Sequence, residues 1–283
     1  MKTYHKTLFV LILPLIMGFN IQSCSDPNDP GNPGTEGRDT TDTTTGNNST
    51  DTTTGNNTTD TTSGENTTSD LPPGYDQFIA GVEVYRDGEF IVIKSNGIPN
   101  HGSPYFEQGD ARYEAYNGTN PQFRLNPNRI REQNMTFRIP VNPVEDPNHS
   151  ATPLGAIGVS LNGVPFYNQY AAGNSPLTNE INGFDHYNGH PQMTGQYHYH
   201  VEPLYLTGML GKDALLGFLL DGFPVYGPEE NGTVITNDDL DDFHGHFGPT
   251  AEYPKGIYHY HITDADPYIN GAGFYGVKGT VSR

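Results

Sequence analysis

The stretch Leu161-Asn-Gly-Val-Pro-Phe-Tyr167 recurs 59 residues later as Leu220-Asp-Gly-Phe-Pro-Val-Tyr226. Two more motifs recur in the same order at offsets of 56 and 61 residues: Asp185-x-x-x-Gly189-His190 with Asp241-x-x-x-Gly245-His246, and Gly195-Gln-Tyr-His-Tyr-His200 with Gly256-Ile-Tyr-His-Tyr-His261. Three motifs repeated together at nearly one period indicate a strand-and-turn unit duplicated within one domain. We place the repeats at about 158–203 and 217–264.

Apolar and polar residues alternate in several segments around these repeats, which is typical of β-strands. The clearest are 81–85, 90–94, 135–139 and 157–161, each bounded by Gly, Pro or Asn. The best helical pattern is short and runs from about Tyr205 to Leu216. The sequence therefore predicts a mainly β fold, with one β-rich domain over 71–283, an internal pseudo-duplication and long loops.

The repeated Tyr-His-Tyr-His segments are the strongest chemical signal. Side chains alternate between the two faces of a strand, so His198 and His200 share one face, and His259 and His261 do the same in the second repeat. Two imidazoles at positions i and i+2 can chelate one ion. If the repeats pack about a pseudo-twofold axis, we expect these four histidines to converge on one shared metal site.

His190 and His246, at matching positions of the two repeats, are expected beside that site. The single cysteine, Cys24, lies far from the domain, so imidazole, carboxylate, phenol or backbone oxygen must supply the ligands. Imidazole ligands suit zinc and copper, and the sequence does not choose between these two cofactors.

A second interpretation makes the same histidines buried hydrogen-bond partners of aspartates, with the repeated tyrosines as core residues. Asp185 and Asp241 each precede a repeated histidine by five residues, and we predict that they orient His190 and His246 from outside the ligand set. Candidate catalytic groups are Asp221, Asp241 and His101.

The N-terminus has the layout of an export signal, with Lys2 and Lys6 before an apolar run over 8–19. Cys24 follows that run behind Ser23 and resembles the acylated cysteine of bacterial lipoproteins. We predict a signal peptide over 1–23, lipidation at Cys24 and anchoring to a membrane. The acidic residues Asp26 and Asp29 favour the outer membrane or cell surface as the location.

Residues 24–70 are rich in Thr, Asn, Asp and Gly and contain a near-repeat of nine residues. They cannot bury enough apolar surface to fold, and we expect a disordered tether. The net charge of the chain is −19, and twenty-four of its 33 acidic residues follow Asp70. An acidic domain repels phosphate backbones, which argues against nucleic acid as a partner and favours cations.

The chain resembles the YHYH domain family, named for the tetrapeptide present here at 197–200 and 258–261. The resemblance extends through Ser95-Asn-Gly-Ile-Pro-Asn-His101, Phe137-Arg-Ile-Pro140, Gly158-Val-Ser-Leu-Asn-Gly163 and Asp221-Gly-Phe-Pro-Val-Tyr-Gly227. It implies an exported or envelope-located bacterial protein and carries no settled activity.

Three functions follow as hypotheses. The first is a metal-binding lipoprotein domain of the cell envelope. The second is a metal-dependent hydrolase or oxidase that acts on envelope or extracellular polymers. The third is an adhesion or glycan-binding module that uses no metal, with a glycan or polymer as its ligand.

Overall fold

The computed structural model describes residues 70–79 and 81–283. The predicted signal peptide, Cys24 and the tether up to residue 69 lie outside the described residues. In the part that is described, no helix is long and apolar enough to cross a membrane.

The described chain is built mainly from short strands. In chain order they are β1 (Glu83–Asp87), β2 (Phe90–Ser95), β3 (Met135–Pro140), β4 (Ala156–Ser160), β5 (Pro165–Tyr167), β6 (Tyr170–Ala171), β7 (Ser175–Pro176), β8 (Gly189–Pro191), β9 (Tyr197–Tyr199), β10 (Leu215–Leu219), β11 (Pro224–Tyr226), β12 (Glu229–Glu230), β13 (Thr233–Val234), β14 (Gly245–Gly248), β15 (Ile257–His261) and β16 (Thr280–Ser282). The predictions of a mainly β fold and of strands near 81–85, 90–94, 135–139 and 157–161 are confirmed.

Eight strands form the central sheet in the order β8-β9-β5-β4-β10-β11-β15-β14. The strand order is symmetric about the centre of the sheet, because each strand of the first repeat has its counterpart at the mirrored position in the second repeat. The antiparallel pair β4 and β10 lies at the centre, with Val159 opposite Phe218 and one further pair on each side. A pseudo-twofold axis therefore passes between Val159 and Phe218, which confirms the internal pseudo-duplication.

Two equivalent glycines let β4 and β10 pack closely at this axis. A Cβ atom added at Gly158 would lie 2.5 Å from the carbonyl oxygen of Phe218, and one added at Gly217 would clash with that of Val159. Every residue of both strands is buried, so both faces of the sheet are covered here. The strands consequently form the middle of the core rather than one wall of it.

A second sheet, in the order β1-β2-β3-β16, covers part of the central one. Its strand β3 alternates between buried and half-buried residues, which matches a strand with one face on the core. The buried side chains of this face are Ile91, Ile93, Met135, Phe137 and Ile139. Ser95 ties the two sheets together by donating its hydroxyl to the carbonyl of Gly163 at 2.7 Å.

The one α-helix of the described residues, α1 (Leu204–Leu210), is shorter than the predicted segment from Tyr205 to Leu216. It ends at Gly211, whose φ of 110° lies outside the helical region. Leu215 and Leu216 belong instead to β10, where they are buried. The apolar residues that extended the helical pattern are thus strand residues, and the predicted C-terminal end of the helix is wrong.

Candidate metal centres

The two Tyr-His-Tyr-His strands lie far apart in the central sheet. β9 and β15 are separated by four strands, β5, β4, β10 and β11. At a spacing of about 4.8 Å between neighbouring strands, they are roughly 24 Å apart along the sheet. The prediction that all four histidines converge on one site is therefore wrong, because the pseudo-twofold axis runs through β4 and β10 and places the histidine strands near opposite edges.

Each half instead gathers its own three histidines. The first centre consists of His190, His198 and His200, and the second consists of Glu230, His246, His259 and His261. Within each centre, one ligand atom from every residue lies within 4.8 Å of the others. All six histidines singled out by the repeat thus belong to one centre or the other, three in each.

Strand pairing explains how the third histidine joins each pair. β8 lies antiparallel to β9 with His190 directly opposite His198, and β14 lies antiparallel to β15 with His246 directly opposite His259. Side chains of directly opposed residues point to the same face of a sheet. The histidine at i+2 completes each cluster on that face.

Backbone carbonyls orient the histidines of the first centre. Nδ1 of His198 lies 3.1 Å from the carbonyl oxygen of Gln196, and Nδ1 of His200 lies 2.6 Å from that of Asn168. A carbonyl oxygen only accepts, so each Nδ1 carries the proton and donates it. Nε2 then presents a lone pair towards the centre, which is the tautomer that a metal ligand needs.

The second centre repeats this arrangement at the equivalent residues. His259 donates from Nδ1 to the carbonyl of Ile257 at 3.0 Å, and His261 donates to that of Gly227 at 2.8 Å. Gly227 corresponds to Asn168, and Ile257 corresponds to Gln196. The duplication has therefore preserved the orienting hydrogen bonds together with the imidazoles.

The Nε2 atoms in each centre face one another at short range. His198 and His200 bring theirs to 3.0 Å, and His246 and His259 do the same. The buried Nε2 atoms of His190 and His261 have no hydrogen-bond partner among the described residues. Tetrahedral zinc with bonds of 2.0–2.1 Å holds its nitrogen ligands about 3.3 Å apart, so a cation between these atoms fits the geometry and would satisfy the lone pairs.

Burial lowers the pKa values of His190, His198 and His200 in the first centre and of His259 and His261 in the second. Loss of solvent lowers the pKa of His200 to about 4 and that of His261 to about 3. The pKa values of His190 and His198 lie well below their ordinary range, first because of burial and then because other histidines are close. Neutral imidazole is the form that binds a metal, so these five histidines are ready to act as ligands at neutral pH.

A carboxylate lies at each centre, and neither was predicted from the sequence. Oε1 of Glu230 lies 3.5 Å from Nε2 of His259, and Oε1 of Glu180 lies 3.4 Å from Nε2 of His190. The two glutamates come from different positions of the repeat, since the counterpart of Glu230 is Ala171. The repeat pattern therefore gave no signal for them.

Asp185 and Asp241 do not play the role predicted for them. Asp185 accepts from the hydroxyl of Tyr197 at 2.8 Å and from backbone N–H groups of its own turn, and Asp241 makes the same bonds with Tyr258 at 2.9 Å and its turn. Both carboxylates thus bind the first tyrosine of the tetrapeptide rather than His190 or His246. Since tyrosines and histidines alternate along the strand, these aspartates lie on the face opposite the centres.

The other catalytic candidates lie on the tyrosine face as well. Asp221 accepts a 2.6 Å hydrogen bond from Tyr260, and burial raises its pKa to about 6. His101 accepts at Nε2 from the hydroxyl of Tyr199, 2.9 Å away, and donates from Nδ1 to the carbonyl of Gly102. The four repeated tyrosines are almost fully buried, as we expect of core residues.

A family model described as YHYH protein matches residues 136–235 and 229–273. No curated protein and no solved structure matches the chain significantly. The matched segments contain β4 to β15, every histidine of both centres, and the two glutamates. With both Tyr-His-Tyr-His strands inside the match, residues 136–273 form a domain of the YHYH protein family.

Proposed function

We propose that this protein is a metal-binding domain of the cell envelope that holds one transition-metal ion in each half. The observation that carries the proposal is the pairing of Nε2 atoms at 3.0 Å in both centres, where the Nδ1 atoms of His198, His200 and His259 already donate to carbonyls. In the first centre both of these nitrogens are unprotonated and repel each other at that distance, and a shared cation removes the repulsion. Zinc and copper suit such ligands.

The contacts of the aspartates favour this function over the adhesion module without metal. That alternative required the histidines to be held by aspartates. The hydrogen bonds of His198, His200, His259 and His261 run to backbone carbonyls and to neighbouring imidazoles, while Asp185, Asp221 and Asp241 bind tyrosines. The catalytic candidates of the hydrolase alternative, Asp221, Asp241 and His101, lie on the opposite face of the strands and do not reach the centres.

Elemental analysis of purified protein after loading with zinc or copper tests the proposal. We expect two ions per chain in the wild type and one in either His198→Ala or His259→Ala. The double variant should bind none. His149→Asn is a matched control, because His149 lies outside both centres and asparagine tolerates its φ of 44°. Wild-type protein that takes up no ion would refute the proposal, and loss of both ions in one single variant would refute the assignment of separate centres.

Anchoring through Cys24 is part of the same proposal, and it is supported by the signal-like N-terminus. A lipid on Cys24 would anchor the chain to the membrane surface. The residues between Cys24 and Asp70 would link this anchor to the metal-binding domain. Cys24→Ser removes the sulfur that is acylated, and no other cysteine can replace it. We expect this variant to leave the membrane fraction and to lose the mass of the lipid. An unchanged fractionation would exclude the anchor.

A further inference from the structure

The two centres have equivalent histidines but differ in the residues that surround them. Aromatic rings close the first centre: Tyr167 stacks on His198 at 3.9 Å, and Phe184 lies 4.9 Å from His190 and 5.8 Å from His200, measured between ring centroids. Phe184 and the three histidines are all buried. An ion held there would have no direct path to solvent.

The second centre lacks one of these rings. Tyr226 occupies the place of Tyr167, with its ring centroid 5.3 Å from that of His259. The counterpart of Phe184 is Leu240, which is half-buried. The side chain of His246 is accordingly 28% exposed, against 2% for His190. This centre is therefore open on the side of β14.

The ligand atoms at the opening also differ. Glu230 adds a carboxylate whose side chain is 26% exposed, and its oxygens lie 3.5 Å from Nε2 of His259 and 3.7 Å from Nε2 of His246. A long, partly solvated side chain can leave a metal and return without unfolding the sheet. An incoming donor can then take its position, as in metal sites that keep one exchangeable ligand.

We infer that the second centre, with Glu230, His246, His259 and His261, exchanges its ion with nitrogen- or carboxylate-bearing chelators from solvent, whereas the first centre retains its ion as a structural one. This inference rests on the proposed function. It assigns the exchange of metal to one half of the domain and the stabilisation of the fold to the other. The ligand class that enters is a small chelator with oxygen or nitrogen donors, arriving beside Glu230.

Time-resolved release of zinc from loaded, full-length protein into excess EDTA tests the inference. We expect two phases of equal amplitude whose rates differ about tenfold or more, in line with the usual effect of groups around the ligands. His259→Ala should remove the fast phase, and His198→Ala should remove the slow one. Two bound ions released in a single phase would overturn the inference and leave metal binding intact, whereas absence of bound zinc would refute the proposed function itself.

Reciprocal exchange of the wall residues gives a matched pair of variants. Phe184→Leu opens the first centre and should accelerate the slow phase, whereas Leu240→Phe covers the second and should slow the fast phase. Glu230→Gln should accelerate the fast phase alone. If Phe184→Leu does not fold, the single phases of His259→Ala and His198→Ala still decide the question. Equal rates in those two variants, or a faster release from the first centre, would contradict the assignment.

Discussion

The buried carboxyl of Asp221 accepts a 2.6 Å hydrogen bond from the hydroxyl of Tyr260. At the equivalent place of the first half, Asn162 donates to the hydroxyl of Tyr199 at 3.2 Å, and Tyr199 donates onward to His101. Both halves thus link their central turn to the second tyrosine of the tetrapeptide, but the tyrosine donates to an acid in one half and accepts from an amide in the other.

This difference predicts a pH dependence that belongs to Asp221 alone. Burial raises its pKa from 3.8 to about 6, so the folded protein prefers the protonated acid. The stabilisation is complete below about pH 4 and is lost as pH rises through about 6, a change of about 3 kcal/mol. The free energy of unfolding of metal-free wild type and of Asp221→Asn can be measured with urea at a series of pH values. The difference between the two proteins should change between about pH 4 and 6. Parallel curves from pH 4 to 7 would contradict the prediction.

The buried histidines should make stability depend on pH in the opposite direction. Because folding lowers the pKa of His200 to about 4 and that of His261 to about 3, their contribution is complete above pH 6.5 and is lost as pH falls below it. Each such imidazole costs about 1.4 kcal/mol per pH unit within that range. The urea midpoint of the metal-free domain should therefore fall steeply between pH 6.5 and 4.5, and less steeply in His200→Gln. A midpoint independent of pH would exclude this account.

Replacing the repeated aspartates should lower the stability of the domain without changing the number of metal ions that it binds. Asp185→Asn exchanges one acceptor oxygen for an amide beside the buried hydroxyls of Tyr197 and Ser103, and we expect a loss of about 1–3 kcal/mol. Asp241→Asn should cost less, because Asp241 is exposed. Both variants should still bind two ions by elemental analysis. A folded variant that loses one ion would restore the role of these acids in orienting His190 or His246.

Substitution at the pseudo-twofold axis should be severe. In Gly158→Val the new Cβ would lie 2.5 Å from the carbonyl oxygen of Phe218, and β4 and β10 would have to separate. We expect a loss of about 3 kcal/mol or more in unfolding free energy. The control Gly208→Ala lies in α1, where nothing is within 4 Å of an added Cβ, and it should gain about 0.5–1 kcal/mol. Thermal unfolding of both variants makes the comparison, and an unaffected Gly158→Val would show that the strands can move apart.

Much of the fold could be predicted from local sequence patterns. The alternation in β2 and β3 is visible without knowledge of any partner strand, and their predicted and observed bounds agree within one residue. The segment from Tyr205 to Leu216 failed because its apolar residues serve a helix at one end and β10 at the other. Periodicity alone does not separate these two uses over so few residues.

Only part of the candidate site could be predicted from the sequence. Same-face geometry placed His198 beside His200, and the repeat added His190 to that set. The order of strands in the sheet depends on contacts between distant segments, such as the parallel pairing of β5 with β9 and of β11 with β15. Without that order the pseudo-twofold axis could not be located, so two centres were predicted as one. Glu180 is the first residue of a short 3-10 helix and Glu230 lies in β12, and both positions are outside the repeated motifs.

The central pairing of β4 with β10 also says what one half of this domain would be on its own. Half a sheet would end at β4 with a row of unpaired N–H and C=O groups, and such an exposed edge pairs with another chain. Two copies joined edge to edge through antiparallel β4 strands would rebuild the eight-stranded sheet about a true twofold axis. The present chain thus holds within one polypeptide the symmetry that such a homodimer would have, and because the two halves are separate stretches of sequence their histidine centres need not be identical.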